Sequence, residues 1–163
     1  SRFLHICMST HDLVLQNKMQ RRLGQLTGTC FQRCVGMDAF NALFSVTYEM
    51  DEDLGTSYHK RLVAFLTMMH ALNGVVGGAM TDVKGDRGLP PHQQKDKDLF
   101  VHVAKRDKKG VYIKGAKAHQ TGTVNSHWLI VMPTMRLKRE DEAFAIIGAI
   151  PADAEGITYV CGR

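Results

Sequence analysis

A chain of 163 residues that is 44% hydrophobic and 23% charged, with four prolines, has the make-up of a folded globular protein and excludes disordered and collagen-like classes. No apolar run approaches the length a membrane helix needs, since the stretch around Leu62 to Met69 is flanked by His59, Lys60, Arg61 and His70. The net charge of +5 gathers at Lys105, Arg106, Lys108, Lys109, Lys114 and Lys117, but no helix-turn-helix, zinc-finger or aromatic stacking pattern accompanies it. We therefore read this cluster as the solvated face of a hairpin, with no nucleic acid or membrane as partner.

Leu15, Met19, Arg22, Leu23 and Leu26 recur at three-and-four spacing and predict a first helix starting near Thr10 and Asp12. A second stripe, Met37, Phe40, Leu43, Phe44 and Thr47, is expected to end in an acidic turn from Glu49 to Gly55. The third helix has Thr56 or Ser57 as its cap, carries Tyr58, Leu62, Phe65, Leu66, Met69 and Leu72, and stops at Asn73 and Gly74.

Five glycines between Gly74 and Gly88, followed by Pro90 and Pro91, predict irregular backbone. Strand patterns follow at residues 99–104 and 111–117, around the turn 106–110, and then at 128–132, 144–150 and 157–161. Helices first and strands second give an α+β fold, with an N-terminal helical domain over 1–78 and an antiparallel β domain over 79–163. The chain lacks an initiator Met and a signal pattern and stops on a strand-like segment, so it reads as an internal, incomplete piece of a cytoplasmic protein.

Three stretches carry chemistry. Cys30 and Cys34 are four positions apart, which on a helix directs both sulfurs to one side and suits a shared metal or cluster; the alternative is two small core residues. Cys7 and Cys161 have no such partner and are expected to be ordinary buried thiols. The run Gly77, Gly78, Ala79, Met80, Thr81, Asp82, Val83, Lys84, Gly85, Asp86, Arg87 mixes glycines with hydroxyl and charged groups, which fits close approach to an anionic ligand as well as a solvated loop. The polar turn from His119 to His127 lies between two strands, where loops on a rigid scaffold bind ligands; its histidines fit a plain surface turn equally well.

Read together, QLTGTCFQRCVGMDAFNAL, GGAMTDVKGDR, DLFVHV, GVYIKGAKAHQTGTVNSHW and GAIPADAEGITYVCGR resemble consecutive parts of the 4-hydroxybutyryl-CoA dehydratase family. These are flavoproteins grouped with the 4-hydroxyphenylacetate 3-hydroxylases. The resemblance implies an acyl-CoA dehydrogenase-like fold with a barrel-like β domain. It implies FAD and a 4Fe-4S cluster as cofactors, an acyl-CoA substrate and a homotetramer. By it, Cys30 and Cys34 supply two cluster ligands, and a later His and Cys outside this chain supply the others. Met80, Thr81, Asp82, Lys84, Gly85, Asp86, Arg87, His119, Gln120 and Thr121 bind the flavin, the Thr121 hydroxyl lying near its reactive nitrogen. Arg21, Gln32 and Thr121 match active-site residues.

The implied reaction is radical dehydration of 4-hydroxybutyryl-CoA to crotonyl-CoA, with vinylacetyl-CoA isomerisation. A β-hydrogen so weakly acidic is beyond an ordinary base, which is why the cofactor bears the hard step. By itself this piece is expected to be inactive. The competing enzyme reading is a flavin-dependent 4-hydroxyphenylacetate 3-hydroxylase in which the two cysteines are incidental. A basic interaction module is the non-enzymatic alternative.

Overall fold

The computed structural model describes residues 2–29 and 34–162, without the side chains of residues 34 and 35. It divides into two compact units, Ser1–Gly77 with Asn125–His127, and Gly78–Val124 with Trp128–Arg163.

The first unit is built on α1 (Thr10–Thr27), α2 (Cys34–Leu54) and α3 (Tyr58–Leu72). The cap of α1 is Ser9, one residue ahead of the expected start: its hydroxyl accepts the Asp12 N–H at 3.2 Å, while the Asp12 carboxylate accepts from Met8 N–H at 3.2 Å. These bonds satisfy backbone donors that the first turn leaves without helical partners. Gly28, at φ 65°, closes the helix by donating to the Gly24 carbonyl.

The acidic stretch expected as a turn is the last part of α2, which continues to Leu54 before Gly55 turns the chain at φ 63°. Asp51 explains the difference. Its carboxylate accepts the backbone N–H groups of Tyr58 and His59 at 2.8 and 2.9 Å and the Thr56 hydroxyl, so the end of α2 caps the start of α3. Of the two residues expected to cap α3, Ser57 makes no side-chain cap bond and Thr56 gives its hydroxyl to Asp51.

Leu4, Met37, Ala39, Phe40, Leu66, Met69 and Val76 are the buried apolar residues of this unit among the described residues. A Cβ on Gly36 would lie 2.4 Å from the Val76 carbonyl oxygen, so only glycine lets α2 approach the following strand. His127 is clasped to the same unit, its N–H donating to Val75 O at 2.8 Å and its Nδ1 accepting Val75 N–H at 3.1 Å.

The glycine-rich segment expected to be irregular contains a strand, β1 (Val76–Ala79), which runs across the boundary between the units. In the second unit, β2 (His102–Asp107) and β3 (Gly110–Lys114) form an antiparallel hairpin from His102↔Lys114 to Asp107↔Gly110, turning at Lys108 and Lys109. β4 (Trp128–Val131) lies between β1 and β5 (Gly148–Pro151) and pairs antiparallel with β5, Trp128 opposite Pro151. Ala79, Leu129 and Val131 are its buried centre, with Val101, Ile150 and Ala152 against them.

Two strand expectations also need correction. Residues 144–147 are not strand: a 3-10 segment occupies Arg139–Phe144, and β5 starts only at Gly148. Residues 157–161 form no strand, since no ladder partner pairs with them, and Val160 is 91% exposed. The barrel-like domain does not close among the described residues; the strands split into a sheet of three and a hairpin of two, leaving β1 and β5 as edges. The α+β class itself holds. Among the described residues no helix is long and apolar enough to cross a membrane.

Candidate functional site

The second unit joins the two loops singled out by sequence. Ala118 N–H donates to the Thr81 carbonyl at 2.8 Å, and Asp82 and Lys117 form an isolated antiparallel bridge. A short backbone ladder therefore fastens the start of the Met80–Arg87 loop beside the start of the His119–Thr121 turn.

A buried ion pair reinforces the ladder. Lys117 is 8% exposed at its side chain and Asp82 3%, and the ammonium donates to Asp82 Oδ1, to the Met80 carbonyl at 2.9 Å and to the Met132 carbonyl at 2.7 Å. The other carboxylate oxygen accepts the Thr134 hydroxyl at 2.8 Å. All three ammonium hydrogens and both carboxylate oxygens are thus engaged, the condition under which a buried charge pair is tolerated. Lys117 is accordingly not part of the solvated basic face to which its sequence neighbours assigned it.

Farther along the first loop, Lys84 and Gly85 take left-handed φ of 77° and 47°. A Cβ on Gly85 would meet Leu99 Cδ1 at 2.5 Å and Gln94 Oε1 at 2.6 Å. Buried Gln94 is the spine of this turn: its Nε2 donates to the carbonyls of Asp86 at 2.7 Å and Leu89 at 2.9 Å, and its Oε1 accepts Asp86 N–H at 3.1 Å. Asp86 accepts from Gly88 N–H, and Arg87 is exposed.

In the second loop His119 has a left-handed φ of 57°, a conformation non-glycine residues keep only where surrounding contacts impose it. Gln120 donates to the Ala118 carbonyl at 2.6 Å, while its Oε1 is buried with no hydrogen-bond partner among the described residues. Thr121 is exposed. An acceptor buried without a donor is costly and suits a ligand N–H, such as the isoalloxazine ring carries.

The Asp141 carboxylate, 1% exposed, pairs through Oδ1 with His92 Nδ1 at 2.7 Å and with His92 N–H, and through Oδ2 accepts Lys138 N–H. Burial pushes its pKa up, but the bonds from His92 and Lys138 outweigh this and hold it below the ordinary carboxylate value. Sequence reasoning missed Lys117, Gln94, Thr134 and this pair. Each is a polar residue whose role comes from distant backbone, and the local pattern carried no signal for it.

Arg21 lies exposed on α1 in the first unit. Cys30 and Gln32 lie outside the described residues, as does the side chain of Cys34, which opens α2. Among the described residues no three His, Cys, Asp or Glu side chains gather as a metal site. Cys7 is half-buried with Sγ 3.4 Å from Gln16 Oε1, and Cys161, expected to be buried, is exposed.

Over its whole length the chain is 51% identical to a 4-hydroxybutyryl-CoA dehydratase/vinylacetyl-CoA Δ-isomerase of Clostridium aminobutyricum, covering 33% of that protein. A solved structure of an oxygen-tolerant archaeal 4-hydroxybutyryl-CoA dehydratase from N. maritimus superposes with a TM-score of 0.97 at 63% identity, over 100% of this chain and 33% of that one. The oxygenase component of 4-hydroxyphenylacetate 3-monooxygenase, solved with FAD, shares the fold at a TM-score of 0.67 and 17% identity, over 96% of this chain and 32% of that one. The chain thus spans about a third of the length of these relatives. Residues 1–163 match the model of one family from end to end, and the chain belongs to that family, 4-hydroxyphenylacetate 3-hydroxylase N terminal.

Proposed function

We propose that this chain is the flavin-facing part of a 4-hydroxybutyryl-CoA dehydratase with vinylacetyl-CoA isomerase activity. The intact enzyme would be a cytoplasmic homotetramer of acyl-CoA dehydrogenase-like architecture with a barrel-like middle domain. One observation carries the flavin reading: two loops whose anchoring residues are 35 positions apart are bound side by side, and one of them offers a buried acceptor, Gln120 Oε1, with no donor among the described residues. The likeness to dehydratases, at 51% and 63% identity over the whole chain, favours that activity over the hydroxylase alternative, for which sequence likeness to monooxygenases at 32% and 29% identity over 47% and 51% of the chain and a shared fold at 17% identity speak.

In this reading Met80, Thr81, Lys84, Gly85, Asp86 and Arg87 with His119, Gln120 and Thr121 hold FAD, and Asp82, buried against Lys117, holds the first of these loops in place. Lys84 and Arg87 offer positive charge to its phosphates, and Gln120 Oε1 accepts a ring N–H. Thr121, exposed next to Gln120, offers a hydroxyl to the ring, and Arg21 and Gln32 act on substrate. FAD when bound supplies the one-electron chemistry needed to activate a weakly acidic β-hydrogen. Cys30 and Cys34 supply two thiolates to a 4Fe-4S cluster, a donor type suited to iron, and the cluster supplies a Lewis acid for the departing hydroxyl.

The test is anaerobic purification of the full-length protein, with assays for flavin, iron, acid-labile sulfide and crotonyl-CoA formation. Flavin, roughly four irons per subunit and dehydration are the expected results. Flavin without iron, together with hydroxylation of a phenol, would establish the alternative.

A further inference from the structure

The residue list that the family resemblance supplies for the flavin contains Asp82 but not Lys117, and the geometry reverses their importance. We infer that Lys117 is the positioning residue of the flavin face, and that Asp82 acts through it instead of by touching the cofactor. This rests on the flavin reading above.

Asp82 is turned away from any ligand: its side chain is 3% exposed, with Oδ1 receiving Lys117 and Oδ2 receiving Thr134. Lys117 directs its three hydrogens at Met80 O, Met132 O and Asp82, so one ammonium ties the start of the first loop to the end of β4. Its backbone bridges Asp82, and its neighbour Ala118 binds Thr81. Two residues beyond Lys117 the chain enters the left-handed conformation at His119, and two beyond Asp82 it does so at Lys84. Each loop leaves this clasp directly into a constrained turn, so the clasp sets where both sets of backbone N–H groups and the Gln120 side chain stand. An arginine could not replace the lysine, because its planar fork does not match three acceptors arranged around a single ammonium.

The experiment uses the full-length protein and FAD as titrant. Flavin fluorescence gives affinity, the visible flavin band gives the environment of the ring, and the unfolding temperature of the apoprotein gives stability. Lys117→Met leaves Asp82 buried without a counter-charge and is expected to lower both affinity and stability. The double variant Asp82→Leu with Lys117→Met removes both charges. It is expected to recover the unfolding temperature, bind FAD about 10-fold or more weakly, and show a shifted flavin band. Wild-type affinity and spectrum in a stable double variant would overturn the inference.

Should the double variant fail to fold, Lys117→Arg keeps a positive charge against Asp82 but offers a planar fork to acceptors arranged around one ammonium. A several-fold loss of FAD affinity supports the assignment, and wild-type affinity and flavin band overturn it. Wild-type protein that binds no FAD overturns the flavin reading together with this inference, a result distinct from a failure confined to the variants.

Discussion

Substituting alanine at Gly115 and at Gly110 separates two effects that glycine ordinarily mixes. Both residues have φ values that L side chains rarely adopt, 136° and 146°. A Cβ on Gly110 would meet nothing within 4 Å, whereas on Gly115 it would lie 2.3 Å from Phe100 O and 2.6 Å from Val101 Cα. The conformational penalty, about 1–3 kcal/mol, is common to the two. Gly115→Ala must also push two backbone segments apart by more than half an ångström, an overpacking cost of about 1–3 kcal/mol. Its total of about 2–6 kcal/mol, centred near about 4, is a large share of a typical domain's stability.

Urea unfolding followed by the fluorescence of Trp128, the single tryptophan, in β4 of the same unit, measures the difference. With a denaturant slope near 2 kcal/mol per molar, the midpoint should fall by about 2 M for Gly115→Ala and about 1 M for Gly110→Ala. Equal midpoints for the two variants, or a Gly115→Ala protein within about 0.5 M of wild type, would refute the claim that close backbone packing at the base of the hairpin requires this glycine.

Ser9→Ala removes the cap of α1 and should destabilise the protein by about 1 kcal/mol, read as a lower urea midpoint and lost helical circular dichroism; an unchanged midpoint would leave the cap without weight. Asp141 has a depressed folded-state pKa, so its contribution to stability is present above the ordinary carboxylate value and disappears as pH falls through the folded value. Asp141→Asn should therefore flatten the acid limb of the stability profile below about pH 4, and an identical acid limb in the variant would contradict the assignment.

The three helices were legible because Leu15 to Leu26, Met37 to Thr47 and Tyr58 to Leu72 repeat apolar residues at helical spacing, and because Asn73 and Gly74 stop the last of them. The β2–β3 hairpin was legible from its charged turn, and the loops at Met80–Arg87 and His119–Thr121 from their composition and family likeness. All of these signals are local: they are carried by residues within a few positions of one another.

What tertiary structure alone decided involves partners far along the chain. β1 exists despite its glycines because β4 pairs with it and α2 packs against Val76 at Gly36, while residues 157–161, richer in strand formers, have no ladder to join. Asp51 caps a helix that begins beyond the turn closing its own. Lys117 stands in a basic run and has the local signature of a solvated lysine; three oxygen acceptors from Met80, Asp82 and Met132 make it a buried clasp. A polar side chain's burial depends on whether the folded chain supplies acceptors to replace water, and nothing within a few residues of it records that.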